Sequence, residues 1–213
     1  MIFKRQKTQD DSFWITMADL LACIMLIFMF LTFYYVHRGL LQERGVYDAL
    51  KEEFDEEKQK ELGITITKDG IIRFSENAAF EINKYQLKPE FKRVLSLFIP
   101  AYINKIYDKY GGNIMEIRIE GHTSSEFAAA KTAEEAYILN MELSQNRARE
   151  VLNYILTIEE LKQKPGLDWI KKKITANGLS SSRLIYKSGG KEDFVNSKRV
   201  DFRILLEAGD EQN

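Results

Sequence analysis

The longest apolar stretch of the sequence lies near its N-terminus. Residues 13–36 carry a single charged side chain, Asp19. As a helix that rises ~1.5 Å per residue, this stretch is about 36 Å long, which is enough to cross a hydrocarbon core of roughly 30 Å. The apolar part of a cleaved signal peptide is shorter, and no small-residue cleavage pattern follows here. We therefore predict one retained transmembrane helix at residues 13–36, preceded by a tail at residues 1–12.

A highly charged segment follows and extends to about residue 62. Its apolar residues Leu40, Tyr47, Leu50 and Phe54 follow one another at intervals of seven, three and four, which makes a thin stripe on a helix. This pattern predicts a charged helical linker at residues 37–62. A short coiled coil and a helix that plugs a channel are the alternatives, because the same stripe could pack against another helix.

The remaining sequence alternates between strand-like and helix-like patterns. Strands are predicted where apolar and polar residues alternate, and helices where apolar residues recur every three or four positions. Such alternation around one core is typical of an α+β or α/β sandwich, so we predict one domain at residues 63–207 and a tail at 208–213. The predicted elements are a hairpin around Asp69-Gly70, helices at 87–107, 140–155 and 167–174, and strands at 115–121 and 199–206.

The composition narrows the classes of function. The chain carries 31 basic and 32 acidic side chains, which argues against nucleic acid as a direct partner. Its one cysteine, Cys23, lies in the apolar stretch, and the sequence contains no Cys/His metal-binding cluster. No nucleophile arrangement accompanies His122, which we interpret as a strand-end histidine that holds a loop. We therefore expect no enzyme activity, no resident metal and no cofactor.

Asp19 is the residue of the apolar stretch that requires an explanation. A carboxylate within a transmembrane helix costs about 2.5–3.5 kcal/mol on insertion scales. Asp19 could reach water at the membrane boundary, bond to a neighbouring helix, or take up and release an ion. We favour the third interpretation, because intramembrane carboxylates commonly serve ion pathways. Thr16 lies one turn earlier on the same helix face and could add a ligand for sodium, although we expect protons. A single helix cannot enclose a pathway, so polytopic partner subunits are required.

The segment Phe13-Trp-Ile-Thr-Met-Ala-Asp-Leu-Leu resembles the membrane segment of MotB-type stator subunits of ion-driven rotary motors. It is most similar to the members of this family in Zorya anti-phage systems. The resemblance implies that Asp19 carries the ion, and that two copies of the chain pair inside five copies of a MotA- or ZorA-like polytopic subunit. It also implies a single-pass protein of the bacterial inner membrane, with a cytoplasmic N-terminus and a periplasmic C-terminal domain. Met17 departs from the family, which often has an aromatic residue there.

Three later segments resemble an OmpA-like peptidoglycan-binding domain: Ile119-Glu-Gly-His-Thr, Asn140-Met-Glu-Leu-Ser-Gln-Asn-Arg-Ala and Asn196-Ser-Lys-Arg-Val-Asp-Phe. The resemblance covers about residues 64–207 and implies a mixed sheet with helices on one face. It also implies that the ligand is the cell-wall peptide, especially its diaminopimelate residue. The residues that it places at the binding site are Thr123, Ser124, Asn140, Leu143, Arg147 and Arg199.

Two of these positions have particular chemistry. The Arg147 guanidinium could bind a peptide carboxylate through two parallel hydrogen bonds. Ser124 stands where the family has an aspartate, and a hydroxyl cannot offer an ammonium group the charge of a carboxylate. Glu126, two residues later, could substitute for that aspartate.

The membrane carboxylate and the wall-binding domain together predict an anchored stator subunit of a motor that acts in anti-phage defence. A flagellar MotB-type stator subunit is one alternative. A passive tether between the membrane and the cell wall is the other, and it needs no ion-carrying role for Asp19.

Overall fold

The computed structural model describes residues 9–81 and 84–207. The predicted tail at residues 208–213 lies outside the described residues, and so do residues 1–8 of the predicted N-terminal tail. The chain divides after residue 42 into two compact units, each of which is described by itself. Helix α1 (Gln9–Glu53) begins in the first unit and ends in the second.

Over its described residues, the first unit is the N-terminal part of α1. Every side chain from Phe13 to Val36 is exposed, and most are large and apolar. The most apolar window of α1 has a mean hydropathy of 2.3, and α1 alone among the described helices is long and apolar enough to cross a membrane. An exposed apolar surface of this extent fits a lipid environment.

The second unit is a mixed α/β domain. Its five strands form one sheet in the order β1-β2-β5-β3-β4, in which β3 and β4 are parallel and the other neighbours are antiparallel. The predicted fold class, a mixed sheet combined with helices, is confirmed. After α1 the elements are α2 (Glu56–Leu62), β1 (Ile64–Ile66), β2 (Ile72–Ser75), α3 (Glu76–Ala79), α4 (Pro89–Tyr110), β3 (Ile114–His122), α5 (Ala133–Ile155), α6 (Glu159–Gln163), α7 (Leu167–Lys173), β4 (Ile174–Gly178), α8 (Phe194–Ser197) and β5 (Arg199–Leu206).

The core lies between one face of the sheet and helices α4 and α5. Side chains alternate between the two faces of a strand, so Ile117 and Ile119 of β3 lie on the same face as Phe202, the register partner of Ile119 on β5. Phe98 of α4 packs on this face, with ring centroids 5.6 Å from Phe202 and 5.1 Å from Phe74. These contacts join α4 to strands β2 and β5.

Residues 46–54 of the predicted linker contribute to this core. Val46 and Leu50 are buried, and so is Phe54, whose ring centroid lies 5.2 Å from that of Phe98. The prediction of a separate linker at residues 37–62 therefore differs from the structure over this part. Of the apolar stripe that predicted a coiled coil, Tyr47, Leu50 and Phe54 pack in the core of the second unit, so their burial stabilises the fold.

The opposite face of the sheet carries charged side chains. Asp201 of β5 accepts hydrogen bonds from Nε of Arg73 and Nε of Arg199, each at 2.9 Å. On β3, Glu120 accepts one from Nε of Arg203 at 3.2 Å. Burial alone would raise the pKa of Asp201, but the hydrogen bond from Arg73 and the charges of both arginines outweigh it, so this pKa lies below its ordinary value. Folding therefore favours the charged form of Asp201.

Replacing Phe54 by alanine should destabilise the second unit. The change removes a buried ring from the contact with Phe98, and such substitutions cost about 3–5 kcal/mol. The measurement is the free energy of unfolding of the full-length protein in detergent, from urea titrations followed by tryptophan fluorescence. Asp48→Ala is the control, because Asp48 is exposed on the last part of α1, which directly precedes Phe54. A loss of less than about 1 kcal/mol for Phe54→Ala would contradict the burial of this segment.

Replacing Asp201 by asparagine should destabilise the fold in a pH-dependent way. At neutral pH the change leaves Arg73 and Arg199 without their shared carboxylate, which costs about 3–5 kcal/mol for a buried pair. Because folding lowers the pKa of Asp201, its stabilising contribution is complete above the unfolded value of about 3.9 and is lost as the pH falls through the folded value. The difference between wild type and variant should therefore shrink below about pH 4.

The same urea titrations at several pH values test this expectation. Asp69→Asn is the matched control. The Asp69 side chain is half exposed, and its Oδ2 lies 3.9 Å from Nη1 of Arg203, so this ion pair is looser than that of Asp201. A difference for Asp201→Asn that stays constant from pH 7 to about pH 3 would contradict the assignment.

Candidate ligand-binding cleft

Two glycines allow helix α5 to lie directly on the sheet. Gly121 of β3 and Gly178 of β4 are register partners. A Cβ atom on Gly121 would lie 2.2 Å from the carbonyl oxygen of Ser144, and one on Gly178 would lie 2.5 Å from the backbone nitrogen of Gln145. No side-chain carbon tolerates these distances, so only glycine permits the approach. The contact places the middle of α5 beside the end of β3.

A cleft of about 230 Å³ lies between α5 and the segment that follows β3. Thr123 and Ser124 line it from that segment, and Asn140, Leu143 and Arg147 line it from α5. The α5 residues share one face of the helix, because they are three and four positions apart. The structure thus brings together five of the six residues that the resemblance implies. The remaining lining residues are Glu76, Glu126, Phe127, Ala128 and Lys198.

Asn140 holds the loop that forms one wall of the cleft. Its side-chain amide donates to the carbonyl oxygens of Ser124 at 3.1 Å and Glu126 at 3.2 Å. The Glu192 carboxylate holds the same loop by accepting hydrogen bonds from the backbone nitrogen and hydroxyl of Ser125, at 3.1 and 2.5 Å. Asn140 is buried, so it shapes the cleft by fixing the course of the loop.

Arg147 is buried and is held by its own domain. Its Nε donates to the carbonyl oxygen of Lys84 at 2.9 Å, an Nη atom pairs with Oε1 of Glu76, and Cζ lies 5.0 Å from the centroid of the Phe80 ring. Burial lowers the pKa of Arg147, and the negative charge of Glu76 opposes this effect. Two donor groups of the guanidinium that was predicted to bind a peptide carboxylate therefore serve Lys84 and Glu76 of the chain itself.

Sequence reasoning missed two charged residues of the cleft. Glu76 begins the four-residue helix α3, and its Oε2 lies 3.6 Å from Nζ of Lys198, which precedes β5. Lys198 does fall within the Asn196 segment that resembles the OmpA-like domain, and this was its one signal in the sequence. Glu76 had no such signal, because only the pairing of β2 with β5 brings it to the cleft.

Arg199 does not line this cleft. Besides Asp201, its guanidinium donates to the carbonyl oxygens of Ser197 at 2.9 Å and Arg183 at 3.2 Å. It lines a separate cavity with Arg73 and Lys198. Its hydrogen bonds serve the protein's own acceptors, so the structure separates Arg199 from the other five residues that the resemblance implies.

His122 ends β3 and is buried on the charged face of the sheet. Its Nε2 lies 3.5 Å from Oε2 of Glu120 and 3.6 Å from Oδ2 of Asp201, and the three residues could offer ligand atoms to a metal ion. Burial lowers the pKa of His122, which favours its neutral form. The two carboxylates already accept hydrogen bonds from Arg73, Arg199 and Arg203, so this group lacks the negative charge that a buried cation requires.

The other predicted functional residues lie in the first unit. Asp19 and Thr16 are one turn apart on α1, and both are exposed. Both residues lie within the part of α1 that is apolar enough to span a membrane.

Comparisons with solved structures place the fold. The chain is similar to a MotB-like protein from Desulfovibrio vulgaris, with a TM-score of 0.51 and 21% identity, over 79% of this chain and 95% of that one. It is also similar to the cell wall anchor of the T6SS from Pseudomonas aeruginosa, with a TM-score of 0.50 and 17% identity, over 74% of this chain and 97% of that one. At these identities the similarity concerns the fold.

Comparisons of sequence place the family. Residues 79–202 match the OmpA family. The chain is 35% identical to the Zorya protein ZorB of Escherichia coli over 219 aligned residues, which cover 95% of this chain and 92% of the relative. The chain therefore belongs to the ZorB family, with a second unit that belongs to the OmpA family.

Proposed function

We propose that this chain is the stator subunit of an ion-driven motor in the bacterial inner membrane and that it acts in anti-phage defence. Its second unit holds the complex to peptidoglycan, so that the motor has a fixed support to push against. Membership of the ZorB family is the observation that carries the proposal. The proposed role is mechanical and involves no enzymatic step of this chain.

The proposed ion-carrying group is the Asp19 carboxylate. It is exposed on the one described helix that can span a membrane, and so is Thr16 one turn away. An exposed carboxylate in lipid is costly, so a polytopic MotA- or ZorA-like partner would enclose it. Two copies of this chain inside five partner subunits would place each Asp19 against a partner subunit. The N-terminus would be cytoplasmic and the second unit periplasmic.

A membrane potential supplies enough energy for such a cycle. One elementary charge that crosses the membrane gains about 2.3 kcal/mol per 100 mV. Protons from outside would load Asp19, and release to the cytoplasm would reset it. Each cycle would drive rotation or a conformational step of the partner. Protons are the proposed ion, and sodium is the alternative because Thr16 offers one hydroxyl ligand.

The proposed anchor is the cleft beside α5. Membership of the OmpA family supports a cell-wall peptide as its ligand. Leu143 lines the cleft and is only half-buried, so it offers an apolar contact to a ligand. Thr123, Ser124, Asn140 and Arg147 form the polar part of the same wall.

Replacing Asp19 by asparagine should abolish defence and leave the complex intact. Asparagine is nearly isosteric with aspartate and cannot be deprotonated, so it blocks ion transfer. The measurement is the number of phage plaques on cells that carry the complete system, with purification of the membrane complex to show assembly. Asp48→Asn is the matched control on the same helix. Full protection by Asp19→Asn would favour a passive tether over a motor.

Replacing Leu143 by alanine should weaken binding to the cell wall about three- to tenfold, because a bound peptide would cover the exposed part of this side chain and full burial of a leucine contributes roughly 1.5–3 kcal/mol. The measurement is cosedimentation of the full-length protein in detergent with purified sacculi. Ile138→Ala is the control, because Ile138 is exposed on the same helix and lies outside the cleft. Equal retention of Leu143→Ala and wild type would contradict the proposed site.

A further inference from the structure

The Glu76 carboxylate is satisfied on one side only. Its Oε1 pairs with Arg147, whereas its Oε2 is buried and has no hydrogen-bond partner among the described residues. Nζ of Lys198 lies 3.6 Å from Oε2, which is beyond hydrogen-bond distance. A buried charged oxygen without a hydrogen bond destabilises the folded protein, so its persistence requires an explanation.

This unsatisfied oxygen belongs to a residue of the ligand-binding cleft. Glu76, Lys198 and Thr123 all line the cleft, and Oγ1 of Thr123 is likewise buried without a hydrogen-bond partner in the described structure. An acceptor and a hydroxyl are therefore both unused in the wall of one cavity. A ligand with a hydrogen-bonding cation could satisfy them.

Lys198 already places a primary ammonium near this oxygen. Its side chain is 39% exposed, whereas that of Glu76 is 10% exposed. A loose ion pair with one exposed partner contributes little to stability. The long lysine stem can swing into solvent without disturbing the buried carboxylate, which Arg147 keeps in position.

From these contacts we propose that Glu76 is the receptor for a primary ammonium group of the bound peptide and that Lys198 occupies its place when the cleft is empty. The inference rests on the proposed peptidoglycan-binding function. Glu76 then supplies the carboxylate that the family has at the position of Ser124. Arg147 holds Glu76 in position. On binding, the ligand ammonium donates to Oε2 of Glu76 and the lysine moves into solvent.

Glu126 is the rival carboxylate, because it lines the same cleft and lies close to Ser124 in the sequence. Its side chain is exposed on the loop, and Asn140 contacts it only through its backbone carbonyl. Water competes for an exposed carboxylate and screens its charge, whereas a buried and fixed carboxylate attracts an ammonium more strongly. The structure therefore favours Glu76.

The test compares two ligands that differ only in the amine. The probes are a stem peptide that ends in diaminopimelate with a free side-chain amine, and the same peptide acetylated on that amine. Affinities for both are measured by calorimetry with the full-length protein in detergent. Glu76→Gln should lower the affinity for the free amine about 10- to 100-fold, as expected when one hydrogen bond to a charged group is lost. The acetylated peptide should lose much less, so the preference for the amine should disappear.

Lys198→Met provides an independent variant, because it removes the competing ammonium and keeps Glu76 paired with Arg147. It should raise the affinity for the free amine severalfold and leave the acetylated peptide unaffected. A preference for the amine that persists in Glu76→Gln, or that is lost in Glu126→Gln instead, overturns the inference.

The outcomes also separate this inference from the proposed function. A wild-type chain that binds sacculi but does not distinguish the two peptides overturns the role of Glu76 and leaves wall binding intact. A chain that binds neither sacculi nor peptides overturns both.

Discussion

The close contact between helix α5 and the sheet is the constraint on which the candidate site depends. Gly121 and Gly178 are partners across β3 and β4, and a Cβ atom on either would collide with the backbone of α5. This approach brings Arg147 of α5 near Glu76, which is far away in sequence. The cleft is therefore a consequence of backbone packing, and its chemistry comes from the side chains that this packing brings together.

The two faces of the sheet make different kinds of contact. The apolar face packs against α4, α5 and the end of α1, with Phe98 as a shared aromatic contact. The other face carries a network of arginines and carboxylates around Asp201, in which each charge has an opposite partner. This network also accounts for Arg199, whose hydrogen bonds serve the fold and not the cleft. One strand thus contributes to the core with one residue and to the charge network with the next.

The proposed stator role requires a part that handles ions and a part that is held still. Asp19 is exposed on the candidate membrane helix of the first unit, and the cleft belongs to the second unit. Within the second unit, Val46, Leu50 and Phe54 anchor the end of α1 in the core. The folded unit therefore begins well before Gly63, where the charge pattern had placed its start, because a thin apolar stripe was enough to join the core.

The sequence by itself determined the long apolar helix with Asp19, the mixed α/β class, and five residues of the cleft wall. The first two features follow from local signals, namely an unbroken apolar stretch and alternating or helical periodicity. The five cleft residues follow from the resemblance of short motifs to a known domain family. Strand β4 was missed because Thr175 and Asn177 give it a weak apolar pattern. The burial of residues 46–54, the separation of Arg199 from the cleft and the pairing of Glu76 with Arg147 were decided by the tertiary structure alone. Each depends on which distant segment fills the space beside a residue. Periodicity along the chain does not predict such contacts between distant segments.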